Sequence, residues 1–147
     1  MLRVVRALNE QTLPLYEWEL CVVDNCAGSN VESLIDLSWH PAGRCVREDR
    51  LGLTQARLRG LNETSGDLIV FVDDDNVLAI DYLAEARSIM AANPRLGAVG
   101  GSIVGDFEIS PPSWFSSFDF DLIGVRPLPA DCWSNLPWLW ESTPIGA

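Results

Sequence analysis

Residues 66–76 read GDLIVFVDDDN: five consecutive apolar side chains, Leu68 to Val72, set between a Gly-Asp turn signal and three adjacent aspartates. A short, uninterrupted apolar run rich in β-branched and aromatic residues predicts a strand covered on both faces, the central strand of a parallel sheet. Asp73, Asp74 and Asp75 then stand at its carboxyl end. In open α/β sheets, that is where ligands bind. If the extended backbone persists past Val72, Asp73 and Asp75 point to one side and Asp74 to the other.

Working outward, residues 53–64 carry a helical pattern closed by Ser65-Gly66, with Ala56 and Gly60 as small residues suited to close packing. Residues 81–92 form a second helical stretch, with Leu83, Ala86, Ile89 and Met90 on the inner side and Asn93-Pro94 as its stop. Upstream, Trp18 to Val23 reads as a strand that hands over to Asp24-Asn25, so Asp24 also falls at a strand's carboxyl end. Ser29 and Glu32 have capping-box spacing before Val31, Leu34, Ile35 and Leu37, which predicts a short helix. Cys45-Val46 and residues 98–104 complete the strand candidates. Residues 2–12 predict an opening helix with Leu2, Val5 and Leu8 at helical spacing.

Strands alternating with helices through residue 104 imply an α/β domain with a mostly parallel sheet. From Gly105 the pattern changes: the last 43 residues hold six of nine prolines and four of six tryptophans, which reads as long packed loops. Trp133, Trp138 and Trp140 offer aromatic faces suited either to sugar rings or to ordinary loop packing.

Three neighbouring carboxylates repel one another, and a hard divalent cation relieves that repulsion. Carboxylate oxygens suit Mg²⁺ or Mn²⁺, which typically complete their shell with water and substrate phosphates. The same residues are compatible with a solvated turn, because aspartate and asparagine are common turn formers. Metal-dependent phosphatases and nucleases also use clustered carboxylates.

Composition narrows the classes. The net charge of −11 disfavours nucleic acid as a partner. All ten basic residues are arginine, which removes the Walker lysine and the Schiff-base lysine. His40 sits in the turn-like Trp39-His40-Pro41 and reads as loop. Cys21, Cys26, Cys45 and Cys132 lack zinc spacing and read as buried free thiols. Without a leader or an apolar run of membrane-spanning length, the chain is expected to be cytoplasmic.

Three blocks, CVVDNCAGSN from Cys21, REDRLGLTQARLRGLNETSGDLIVFVDDDN from Arg47 and DYLAEARSIMAANPRLGAVGG from Asp81, resemble the family 2 glycosyltransferases. The resemblance implies a Rossmann-like nucleotide-diphospho-sugar transferase fold, α/β with a mostly parallel sheet flanked by helices, here incomplete. The partial domain spans 1–147: a nucleotide-sugar-binding part over 1–104 and a Pro/Trp-rich part over 105–147 that leads toward the acceptor region. By resemblance Asp24 contacts the nucleotide base. Asp73 and Asp74 contact the donor, and Asp75 with Asp73 holds a divalent metal, Mn²⁺ or Mg²⁺. Arg57, in the stretch Gly52-Leu53-x-x-Ala56-Arg57 where Leu58 replaces the family's asparagine, helps place the donor.

The implied reaction is inverting transfer of a sugar from a nucleotide-diphosphate donor to a saccharide or other hydroxyl acceptor. A longer protein could associate peripherally with the cytoplasmic face of a membrane. The resemblance places a further strand before Met1 and the acceptor's general base beyond Ala147, with Glu141 and Asp131 as weaker substitutes for that base. The competing readings are a nucleotidyltransferase and a catalytically incomplete fragment that at most binds nucleotide.

Overall fold

The computed structural model describes residues 1–25, 28, 30–112, 114–115 and 124–125. The expectations for Ser29, Cys26, Cys132, Asp131, Glu141, Trp133, Trp138 and Trp140 therefore lie outside the described residues. The chain divides into two compact units, Met1–Pro94 and Arg95–Ala147.

The first unit contains the regular elements. In chain order these are α1 (Leu2–Asn9), β1 (Leu20–Asp24), β2 (Gly43–Arg47), α2 (Leu53–Glu63) and α3 (Tyr82–Ala92), with 3₁₀ turns at Leu15–Glu17 and Val31–Ser33. β1 and β2 are parallel, in a register that sets Leu20 against Gly43, Val22 against Cys45 and Asp24 against Arg47. α2 packs against β1. Gly60 serves the close approach expected of it: a Cβ there would already touch Val23 Cγ2 at 3.5 Å.

The core gathers Val4 and Leu8 of α1, Leu20 of β1, Leu78, and Leu83 of α3, ringed by half-buried Trp18, Val22, Trp39, Val70, Val72 and Tyr82. α1 buries Val4, Ala7 and Leu8, while Leu2 is exposed. That corrects the face expected from Leu2, Val5 and Leu8. Both sets have helical spacing, and packing chose the stripe that Gln11 continues one turn on.

Two strand expectations are corrected. Residues 68–72 form no ladder among the described residues, although Val70 and Val72 pack on the core while Phe71 is exposed. This alternation is that of an extended chain, one face in and one out. The apolar run signalled burial, whereas a ladder also needs a hydrogen-bonded neighbour. In the second unit, residues 98–104 contain a single bridge residue, Ile103. The short helix expected after Ser29 is only the 3₁₀ turn Val31–Ser33. Asp24 Oδ2 accepts from the Val31 amide at 3.4 Å, which satisfies a first-turn donor that has no partner within the turn.

In the second unit, Phe115 sits edge-on between Phe107 and Trp114, with ring centroids 6.1 and 6.2 Å apart. A side chain at Gly105 would collide with the Phe107 ring. Among the described residues no helix is long and apolar enough to cross a membrane.

Candidate functional site

The carboxyl ends of β1 and β2 build a concave site. Because the strands are parallel and in register, Asp24 and Arg47 end side by side on one face. Arg47 Nη1 donates to Asp24 Oδ2 at 2.6 Å, and its Nε donates to Asp49 Oδ1 at 3.1 Å. Asp24 is only 6% exposed. Its carboxylate, and then that of Asp49, raises the Arg47 guanidinium above its ordinary range. A cleft of about 280 Å³ opens beside this pair, lined by Asp24, Asn30, Glu32, Cys45, Val46 and Arg47. Burial, followed by the nearby Asp24 charge, pushes the Cys45 thiol up, so it stays protonated and serves as lining.

Asn25 fixes the loop that leads from β2 into α2. Its Nδ2 donates to the carbonyls of Glu48 and Arg50, each at 2.8 Å, and its Oδ1 accepts from the Gly52 amide at 2.8 Å. Gly52 precedes α2 at φ +129°, a left-handed conformation that glycine adopts without strain. The buried Glu48 carboxylate accepts from the Arg50 amide and side chain at 2.9 and 3.1 Å, which lowers its pKa. Sequence reading missed Arg47, Asn25 and Glu48. The signal available for Arg47 was its place at the end of the second short strand, opposite Asp24 once the two are paired in parallel.

The aspartate run lies in a turn. The Asn76 amide donates to the Asp73 carbonyl at 3.1 Å, and Asp74 and Asp75 occupy the exposed middle of that turn. This corrects the expectation that strand alternation continues through Asp75, because a turn breaks the period of two. Asp73 is half-buried, and its Oδ1 lies 3.5 Å from Arg57 Nη2. The guanidinium carbon of Arg57 also sits 5.2 Å from the centroid of the Phe71 ring. Asp24 is thus held by Arg47, and Asp73 by Arg57.

Among the described residues, no three His, Cys, Asp or Glu side chains are gathered so as to hold a metal ion on their own. The donor set still fits a hard cation. Mg²⁺-type sites commonly use one or two protein carboxylates and leave the other positions to water and phosphate oxygens.

His40 lies away from this chemistry and is 3% exposed. Its Nδ1 accepts from the Ala42 amide at 3.1 Å, so the neutral ring carries its proton on Nε2. Trp18 and Trp39 meet the ring edge-on, with centroids 4.3 and 5.4 Å away. Burial holds the His40 pKa below its ordinary value of 6.5. With the folded pKa depressed, the unfolded chain binds the proton first, so stability present above 6.5 is lost as pH falls toward the folded value. As the chain's one histidine, it dominates the interval from about pH 7.5 to about pH 5.5. Urea denaturation should show falling stability there in the wild type and a flat profile in His40→Phe. A flat wild-type profile would refute this role.

The sequence profile of the family described as Glycosyl transferase family 2 matches residues 1–136. A curated protein of Haloferax volcanii, glucosyl-dolichyl phosphate glucuronosyltransferase, is 30% identical over 80 residues. That match covers 54% of this chain and 25% of the relative, so the aligned stretch spans a quarter of the relative's length. No solved structure matches the chain.

Proposed function

This chain belongs to glycosyl transferase family 2, and from that premise we propose that it forms the donor-binding part of an inverting, metal-dependent transferase. The donor is a nucleotide-diphospho-sugar and the acceptor a saccharide or other hydroxyl compound. The observation that carries this reading is the cleft at the carboxyl ends of the parallel pair, with the buried Asp24 carboxylate in its wall. In this reading Asp24 receives the nucleotide base, while Asp73 and Asp74 face the ribose and diphosphate. Asp75 is the principal metal ligand, with Asp73 beside it, and Arg57 supplies positive charge to the donor. A bound Mn²⁺ or Mg²⁺ would offset the charge that develops on the departing diphosphate.

The haloarchaeal relative is named for glucuronosyl transfer to a lipid-linked sugar. An acceptor of that general kind agrees with peripheral membrane association of a longer protein containing this chain, at the cytoplasmic face. Deprotonation of the acceptor hydroxyl is assigned to a carboxylate outside the described residues.

Calorimetry with uridine and guanosine diphosphates tests the reading. At least one should bind with Mn²⁺ present and lose most of its affinity when the metal is chelated. Asp75→Ala should bind equally weakly with and without metal. Equal binding by the wild type in both conditions would overturn the metal assignment.

A further inference from the structure

We propose that Arg57 is a positioning residue that exchanges partners. It holds Asp73 in the resting site and turns to the donor diphosphate once a divalent cation takes that carboxylate. This rests on the metal-dependent donor site proposed above.

The geometry points to exchange because the two acidic strand-end residues are held so differently. Arg47 meets Asp24 at 2.6 Å, with that carboxylate only 6% exposed, which is a fixed structural pair. Arg57 meets Asp73 at 3.5 Å, with the two side chains 34% and 40% exposed. A pair that long and that wet gains little from its Coulomb attraction, so a competing cation can displace it. The guanidinium has a second hold that does not depend on Asp73. It sits over the Phe71 ring at 5.2 Å, and Phe71 lies two residues before Asp73, on the same side of an extended chain. The planar group can therefore let go of the carboxylate while its face stays on the ring.

A divalent ion at Asp73 and a guanidinium 3.5 Å from the same oxygen repel each other, so metal binding frees the Arg57 donors. A diphosphate bound beside the metal would then offer a pair of phosphoryl oxygens that arginine binds in a fork, which lysine could not reproduce. Metal and diphosphate binding become positively linked through one side chain. Because Arg57 competes with the metal and helps to bind the diphosphate, removing this side chain should raise the first affinity and lower the second.

The test uses the full chain, with Mn²⁺ alone followed by electron paramagnetic resonance and inorganic pyrophosphate as a base-free probe followed by calorimetry. Arg57→Gln should bind Mn²⁺ alone about three- to fivefold more tightly than the wild type, as expected for removal of a partly exposed competing charge. It should bind pyrophosphate in the presence of Mn²⁺ about tenfold more weakly, through loss of a charge-assisted fork. Arg57→Lys should restore the wild-type Mn²⁺ affinity and leave the pyrophosphate defect largely in place. Phe71→Leu removes the ring but not the charge and should weaken pyrophosphate binding with Mn²⁺ affinity near wild type; it carries the test if Arg57→Gln does not fold.

Unchanged or weaker Mn²⁺ binding by a folded Arg57→Gln protein would overturn the exchange and leave the donor-site reading standing. Wild-type pyrophosphate affinity in Phe71→Leu would likewise overturn it. Failure of the wild type to bind Mn²⁺ alone would overturn the exchange, and failure to bind nucleoside diphosphate in the presence of Mn²⁺ would overturn the donor-site reading with it.

Discussion

Asp24→Ala is expected to destabilise the chain by about 2 kcal/mol and to weaken nucleoside diphosphate binding by at least about tenfold. Asp24 is buried, and its Oδ2 accepts from Arg47 Nη1 at 2.6 Å and from the Val31 amide at 3.4 Å. Truncation removes both bonds. Breaking a fully buried ion pair costs about 3–5 kcal/mol, but the Arg47 side chain is 39% exposed and keeps Asp49, which lowers the cost here. The backbone at this position is not lost: the Glu48 amide donates to the Asp24 carbonyl at 3.0 Å and extends the ladder past the last paired residue. The strand pair should therefore persist while the cleft wall loses its charge.

Asp24→Asn separates the two effects. It preserves shape and an acceptor for Val31, so it should recover most of the stability but not the binding. Urea denaturation reads the first quantity and calorimetry with Mn²⁺ the second. Wild-type nucleotide affinity in a folded Asp24→Ala protein would refute the assignment of Asp24 to the base.

The sequence and the structure agree most closely where the information is local. α2 was expected over 53–64 and spans Leu53–Glu63; α3 was expected over 81–92 and spans Tyr82–Ala92. Glycine, asparagine-proline and helical periodicity mark those ends within a few residues of themselves. Asp24 was likewise legible, since an apolar strand that runs out into an aspartate says where the carboxylate stands. What it touches was not legible. Arg47 is 23 residues away and meets it only because the parallel register brings the two together.

Non-local pairing also explains Leu68 to Val72. Composition predicts that these residues leave water, and Val70 and Val72 pack on the core, but no local feature supplies a ladder neighbour. The aspartates after them show a further limit. Three carboxylates in a row are a chemical type that the sequence declares whatever the backbone does. Whether they fan out along a strand or crowd a turn depends on the Asn76 amide folding back to the Asp73 carbonyl. The residue types were readable, and their geometry was not.

Gln11→Ala carries the other large expected effect, a loss of about 3 kcal/mol from one exchange of an unremarkable polar residue. Gln11 is buried just past the end of α1. Its Nε2 donates to the carbonyls of Ala7 at 3.1 Å and Ala79 at 2.7 Å, and its Oε1 accepts from the Leu83 amide at 3.0 Å. The last bond does the work of a cap. Asp81 precedes α3 without making a side-chain cap bond, so a first-turn amide that would otherwise be orphaned is satisfied from 72 residues away. The Thr12 amide donating to the Ile80 carbonyl at 2.8 Å ties the same two segments through the backbone.

Truncation to alanine leaves the Leu83 amide without an acceptor beside the buried Leu83 and Ala86, where water replaces it poorly. Gln11→Glu keeps the acceptor for Leu83 but replaces the amide donor with a charge facing two carbonyls, so it should be as damaging at neutral pH and milder in acid, where the carboxyl protonates. Hydrogen exchange at the Leu83 amide locates the effect and denaturation sizes it. A Gln11→Ala protein within about 0.5 kcal/mol of wild type, with Leu83 still protected, would show that α3 is held by apolar packing alone.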